Sequence, residues 1–115
     1  MNFSKDYIKM CDCDEVQKYS DDKALDIDEN LFYITERQTF IFTPFQYQIQ
    51  QLIRQYGSCE FKLLQDFYNW CIVQRKERIE MVKGRSMEEL WLMFYMWREH
   101  YKLWDGEKWV NEKRL

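Results

Sequence analysis

The apolar positions of this chain change period along its length, and those changes divide it into segments. Between Ser4 and Lys18, Tyr7, Ile8 and Cys11 recur at helical spacing, and Val16 and Tyr19 extend a thin apolar face. Ser4 stands as an N-cap, and Asp6 falls in the first turn, where a carboxylate meets the positive end of the helix dipole. A short helix over 4–18 is expected. Residues 20–30, "SDDKALDIDEN", are acidic and aperiodic, and read as a solvated loop. Residues 31–42, "LFYITERQTFIF", set aromatic and β-branched residues on both sides of a polar centre, Glu36 to Thr39. That arrangement predicts a β-hairpin.

Helical period then returns. "TPFQ" offers Thr43 as N-cap, Pro44 at the first helical position and Gln46 as the reciprocal capping partner. Phe45, Ile49, Leu52 and Tyr56 form one stripe with Ile53 beside it, and Gly57 ends the helix. Ser58 caps a longer helix over about 59–82 that carries two stripes. One is Phe61, Leu64, Tyr68, Ile72 and Ile79; the other is Leu63, Phe67 and Trp70. A helix apolar on two sides is expected at the centre of a fold, covered from both. Gly84 breaks it. Ser86 and Glu89 then form a second capping box.

At about 100° per residue, Leu90, Phe94, Trp97, Tyr101 and Trp104 continue one stripe of the last helix. Leu92, Met96 and Leu103 form a second. Four of the five tryptophans lie in this region, between Ser86 and Val110. One stripe suffices to anchor the helix. The other is expected against another helix of the same chain; the alternative is a second protein molecule, another copy included. The chain turns at Asp105-Gly106, and Trp109 and Val110 fold back as a short extended segment.

The expectation is a single α+β domain, mainly helical, with about four helices and one hairpin. Residues 1–30 form the helix and acidic loop, 31–42 the hairpin, 43–110 a helical core led by its two aromatic-rich C-terminal helices, and 111–115 a tail. The scarcity of glycine (3) and proline (1) disfavours a many-turned all-β fold. With 46% hydrophobic and 32% charged residues, the 115-residue chain is globular rather than disordered. Lys5, Asp6 and Lys9 interrupt any secretory signal, and no stretch is apolar enough to span a membrane, since Pro44 and a run of glutamines fill the least charged one. The four cysteines show no disulfide-scaffold spacing, which fits reduced thiols in a cytosol.

Net charge is -3 but uneven: residues 1–36 carry -6 and residues 37–115 carry +3. The balance disfavours general nucleic-acid binding. The acids Asp12, Asp14, Glu15, Asp21, Asp22, Asp26, Asp28 and Glu29 are the candidate partner-binding set. Carboxylates on a compact scaffold can imitate the phosphates of a duplex and occupy a nuclease's basic groove. Arg75, Lys76, Arg78, Lys83 and Arg85 are the alternative, a phosphate-contacting helix end, although Glu77 and Glu80 interrupt them.

Catalytic signals are weak. His100, the sole histidine, sits on a helix flank, and a Cys–His nucleophile would need a cysteine beside it. Cys11-Asp-Cys13 is not the C-x₂-C of zinc modules, and Cys59 and Cys71 are too far apart on one helix to supply it. Acid pairs such as Asp21 with Asp22 or Glu88 with Glu89 accompany no phosphate loop, H-E-x-x-H or nucleophile elbow. No enzyme activity, metal or cofactor is expected.

Three segments together resemble a family of small uncharacterised proteins encoded by phages and prophages of low-GC Gram-positive bacteria. They are "DYIKMC", "FTPFQYQIQ", which is similar to the family's aromatic-x-Pro-x-Gln-x-Gln-Leu-Gln box, and "MEELWLMFYMWREHYKLWDGEKWV", which resembles its closing Glu-x-Leu-Trp-Leu … Trp-x-Gly-x-x-Trp pattern. About half the chain is covered. Phe45 and Tyr47 stand where the family often has charged residues, and residues 56–85 are individual to this chain. The resemblance implies an accessory protein of the host bacterial cytoplasm. Such a protein would bind a host protein, in particular a defence nuclease, and inhibit it by occlusion in the manner of an anti-CRISPR.

Overall fold

The computed structural model describes residues 4–19, 32–34, 40–44, 46–53 and 60–112. Helix α1 (Lys5–Cys11) starts where its cap says it should: Ser4 Oγ accepts the Tyr7 N–H at 3.0 Å. It buries Tyr7, Met10 and Cys11. The expected single helix over 4–18 is in fact two. Asp12 leaves helical geometry (φ -79, ψ 68), Cys13 is extended, and α2 (Asp14–Gln17) restarts. Packing accounts for the break. In one straight helix Val16 would point about 140° away from Cys11, yet both are fully buried. The interruption turns Val16 back to the core.

Strands β1 (Phe32–Ile34) and β2 (Phe40–Phe42) pair antiparallel as expected, with Phe32 opposite Phe42 and Ile34 opposite Phe40. The Gln17 side chain serves β2 as an extra strand would. It accepts the Phe42 N–H and donates to the Phe42 carbonyl, both at 3.0 Å, and donates to Cys11 O as well. The polar centre of the hairpin, the acidic stretch 20–30, and the expected caps at Gly57 and Ser58 lie outside the described residues, as do Phe45 and Tyr56.

Helix α3 (Gln46–Leu52) buries Ile49, followed by Ile53 just beyond its end. Helix α4 (Glu60–Glu77) stops at Arg78 (φ -141), and the single turn α5 (Ile79–Val82) follows. Gly84, at φ 73, makes the break expected of it. Both halves of the Ser86–Glu89 capping box form at the start of α6 (Met87–His100).

Helix α6, not α4, is the central helix. Its residues 91–96 are all buried, because α3, α1 and α4 cover it from different sides. The second stripe, Leu92 and Met96, therefore packs within the chain as expected. Helix α4 contributes one face only. Phe67 stacks on Trp91 with ring centroids 3.8 Å apart, and Trp70 packs at a tilt against both Phe94 and Trp97. The expected two-sided burial of α4 is thus corrected: once α3 lies on α6, no described element covers the far side of α4.

The aromatic stripe of α6 also ends earlier than its period implies. Tyr101 turns into the left-handed region (φ 56, ψ 42), and its N–H returns to Met96 O and Trp97 O. Beyond it, β3 (Lys102–Trp104) and β4 (Trp109–Asn111) form a second antiparallel hairpin in which Trp104 faces Trp109. Asp105 Oδ1 accepts the N–H groups of Glu107 and Lys108, each at 2.8 Å, and closes its turn. The chain is α+β, with six helices and two hairpins among the described residues against about four and one expected.

Candidate interaction surface

Helix α4 has two apolar faces with opposite fates. Leu63, Phe67 and Trp70 are buried, with the polar Gln74 continuing the same side. On the other side Phe61 is 89% exposed, Tyr68 65%, Leu64 47% and Ile72 37%. At about 100° per residue these four fall within a quarter of the helix circumference, and Arg75 prolongs the row. Lys76 flanks its C-terminal end, and a Lys62–Asp66 ion pair at 3.0 Å lies off it. Eighteen residues make the helix about 27 Å long. A solvated helix face is normally polar, so a continuous row of two aromatic and two aliphatic side chains is the candidate interaction surface among the described residues. These residues were legible as a stripe but were expected inside the fold.

The acidic candidates separate. Asp12 and Asp14 are exposed, and Asp12 borders a shallow open groove with Lys5, Ile8, Lys9 and Ile41. Glu15 faces inward and pairs with Lys102 of β3. Burial pushes the Glu15 carboxyl up, but the Lys102 ammonium outweighs it and holds the group below its ordinary value. Asp21, Asp22, Asp26, Asp28 and Glu29 lie outside the described residues.

The basic candidates do not form one patch. Arg75, Lys76 and Lys83 are exposed. Arg78 turns back on the fold, donating to Gln74 Oε1 at 2.9 Å and lying near Glu77 and Glu112. Arg85 is structural: its guanidinium donates to Asp6 and Glu89 and to the Met81 carbonyl, with only 15% of its side chain exposed. Glu89 in turn accepts from the Ser86 and Ser4 hydroxyls, joining α1, α5 and α6 at one corner.

His100 sits beside Tyr95, 3.1 Å from its hydroxyl and edge-on to its ring. The Tyr95 hydroxyl also donates to the Glu15 carbonyl, and burial raises its pKa. Burial pushes the Cys13 thiol up to about 12 and the Cys71 thiol up to about 11, and it raises Cys11 too. Thiols so placed stay protonated at neutral pH and are poor nucleophiles. Among the described residues no three His, Cys, Asp or Glu side chains converge as metal ligands would. No helix among them is long and apolar enough to cross a membrane. Comparison of the chain with protein-family models, curated proteins and solved structures finds no match in any of the three.

Proposed function

We propose that this chain is a non-enzymatic accessory protein of phage type that works by protein–protein association in the host bacterial cytoplasm. Its partner class is a host defence nuclease, inhibited by occlusion. The observation that carries association is the bare apolar row of α4: Phe61, Leu64, Tyr68 and Ile72 are set out on a rigid helix and used by nothing in the described fold. The exposed acids at the α1–α2 junction, Asp12 and Asp14, supply charge of the sign that a nuclease's basic groove attracts.

A tagged chain retained on resin with nuclease-treated host lysate, followed by mass spectrometry, tests this reading. One stoichiometric host protein is expected, and a restriction or CRISPR effector in that position would support the nuclease class. Recovery of nucleic acid instead, lost after nuclease treatment and after charge reversal of Arg75 and Lys76, would replace this reading with a nucleic-acid-associated one. Those two residues are the exposed part of the basic run on α4.

A further inference from the structure

The exposed row on α4 is evenly spaced about its middle residue, Tyr68. Relative to Tyr68, Leu64 and Ile72 stand four residues away on either side, and Phe61 and Arg75 stand seven away. Offsets of four and seven return to one helix face, so the positions of the row are symmetric about Tyr68, with an aliphatic residue on either side of it and an aromatic ring and a guanidinium at its two ends. We propose that a second copy of this chain docks there, with the two α4 helices antiparallel and a two-fold axis passing beside Tyr68. The proposal rests on the reading of α4 as an association surface and adds what occupies it.

A two-fold interface requires a surface that complements itself, and this row meets the requirement position by position. Each Leu64 meets the partner's Ile72, an aliphatic contact made twice. Each Phe61 meets the partner's Arg75, so the most exposed aromatic ring of the row receives a guanidinium against its face. A parallel pairing would instead set Arg75 and Lys76 against their own copies. Among the described residues neither Arg75 nor Lys76 is held in an ion pair, so both are available to the second copy. The antiparallel arrangement also opposes the helix dipoles. Small crossing angles near 20° keep such rows in contact over several turns.

The axis makes one residue its own neighbour, which gives a sharp test. Tyr68→Glu places two carboxylates together, and Tyr68→Lys places two ammonium groups together. Sedimentation velocity on the purified chain over a range of concentrations should show a dimer for the native sequence. Each variant alone should be monomeric, with association weakened by about 100-fold or more. An equimolar mixture of the two variants should regain the dimer, because glutamate then meets lysine. Tyr68 is exposed, so circular dichroism should find all three proteins equally folded. A native chain that stays monomeric would overturn the proposal, as would a dimer indifferent to either variant. Two monomeric variants that fail to rescue each other would overturn the register. A monomeric native chain that still retains a host protein in the lysate experiment would sink self-pairing alone and leave the association reading standing.

Discussion

His100 shows how one side chain couples the fold to pH. Burial lowers its pKa from the ordinary 6.5, because the imidazolium loses water on folding. Glu15 and Glu99 favour the charged ring, while Lys18 and Lys102 oppose it. The unfolded chain therefore takes up a proton at a pH where the folded chain does not. The sign follows from linkage: this residue's contribution is full at neutral pH, is lost as pH falls below about 6.5, and levels off once the folded form protonates too. The variant His100→Gln keeps a polar neighbour for the Tyr95 hydroxyl and cannot titrate. Denaturant unfolding at about pH 7.5 and about pH 5.5 should show the native chain losing stability relative to this variant. Parallel losses would mean that the ring titrates as it does in water. Arg85 shows the same discipline at a charged position. The sequence sets it in a basic run, yet Asp6 and Glu89 flank it and make it a structural cation.

Among the elements, α4 and α6 carry the clearest lesson. The two faces of α4 predict opposite responses to the same substitution. Phe67→Ala removes a ring stacked on Trp91 and should cost about 3–5 kcal/mol. Phe61→Ala, measured in dilute protein, should stay within about 0.5 kcal/mol of the native chain. Comparable losses from both, read by urea denaturation, would mean that the outer row is buried after all. The helix starts were legible because caps are local: Ser4 and Ser86 each bond a backbone N–H three residues on, and sequence shows both partners. The first hairpin was legible from the aromatic and β-branched residues on both sides of a polar centre, while its register, Phe32 opposite Phe42, was not. The exchange of roles between α4 and α6 was not. Both helices carry two stripes, and period alone does not say which neighbour arrives to cover them. The second hairpin was half legible. Trp109 and Val110 read as an extended segment, but Tyr101 and Trp104 continued the helical period and concealed the reversal, which a tyrosine makes without the usual glycine. Of the candidate surface, the residues were readable and their exposure was not.

At the scale of the whole molecule, the C-terminal hairpin is a clasp on the N-terminal helices. The Trp109 indole N–H donates to Met10 O at 2.9 Å, Lys9 pairs with Glu107, and Lys102 pairs with Glu15. The exposed Lys9–Glu107 pair contributes little, whereas the half-buried indole contributes packing and a hydrogen bond together. Trp109→Ala should therefore cost about 2 kcal/mol and speed amide hydrogen exchange in α1 more than in α4. Exchange in α1 unchanged by the substitution would show that α6 alone holds it.

That clasp also sets an order of events during synthesis. Met10 and Trp109 are separated by 99 residues. At bacterial elongation rates the interval between making the two is roughly 5–20 s. For that time Tyr7, Met10 and Cys11 leave the ribosome as an apolar patch without its cover, available to chaperones that greet nascent chains. Helix α1 is thus finished only after β4 has been made, and a ribosome that stops before that strand releases a chain whose early-made helix lacks its clasp.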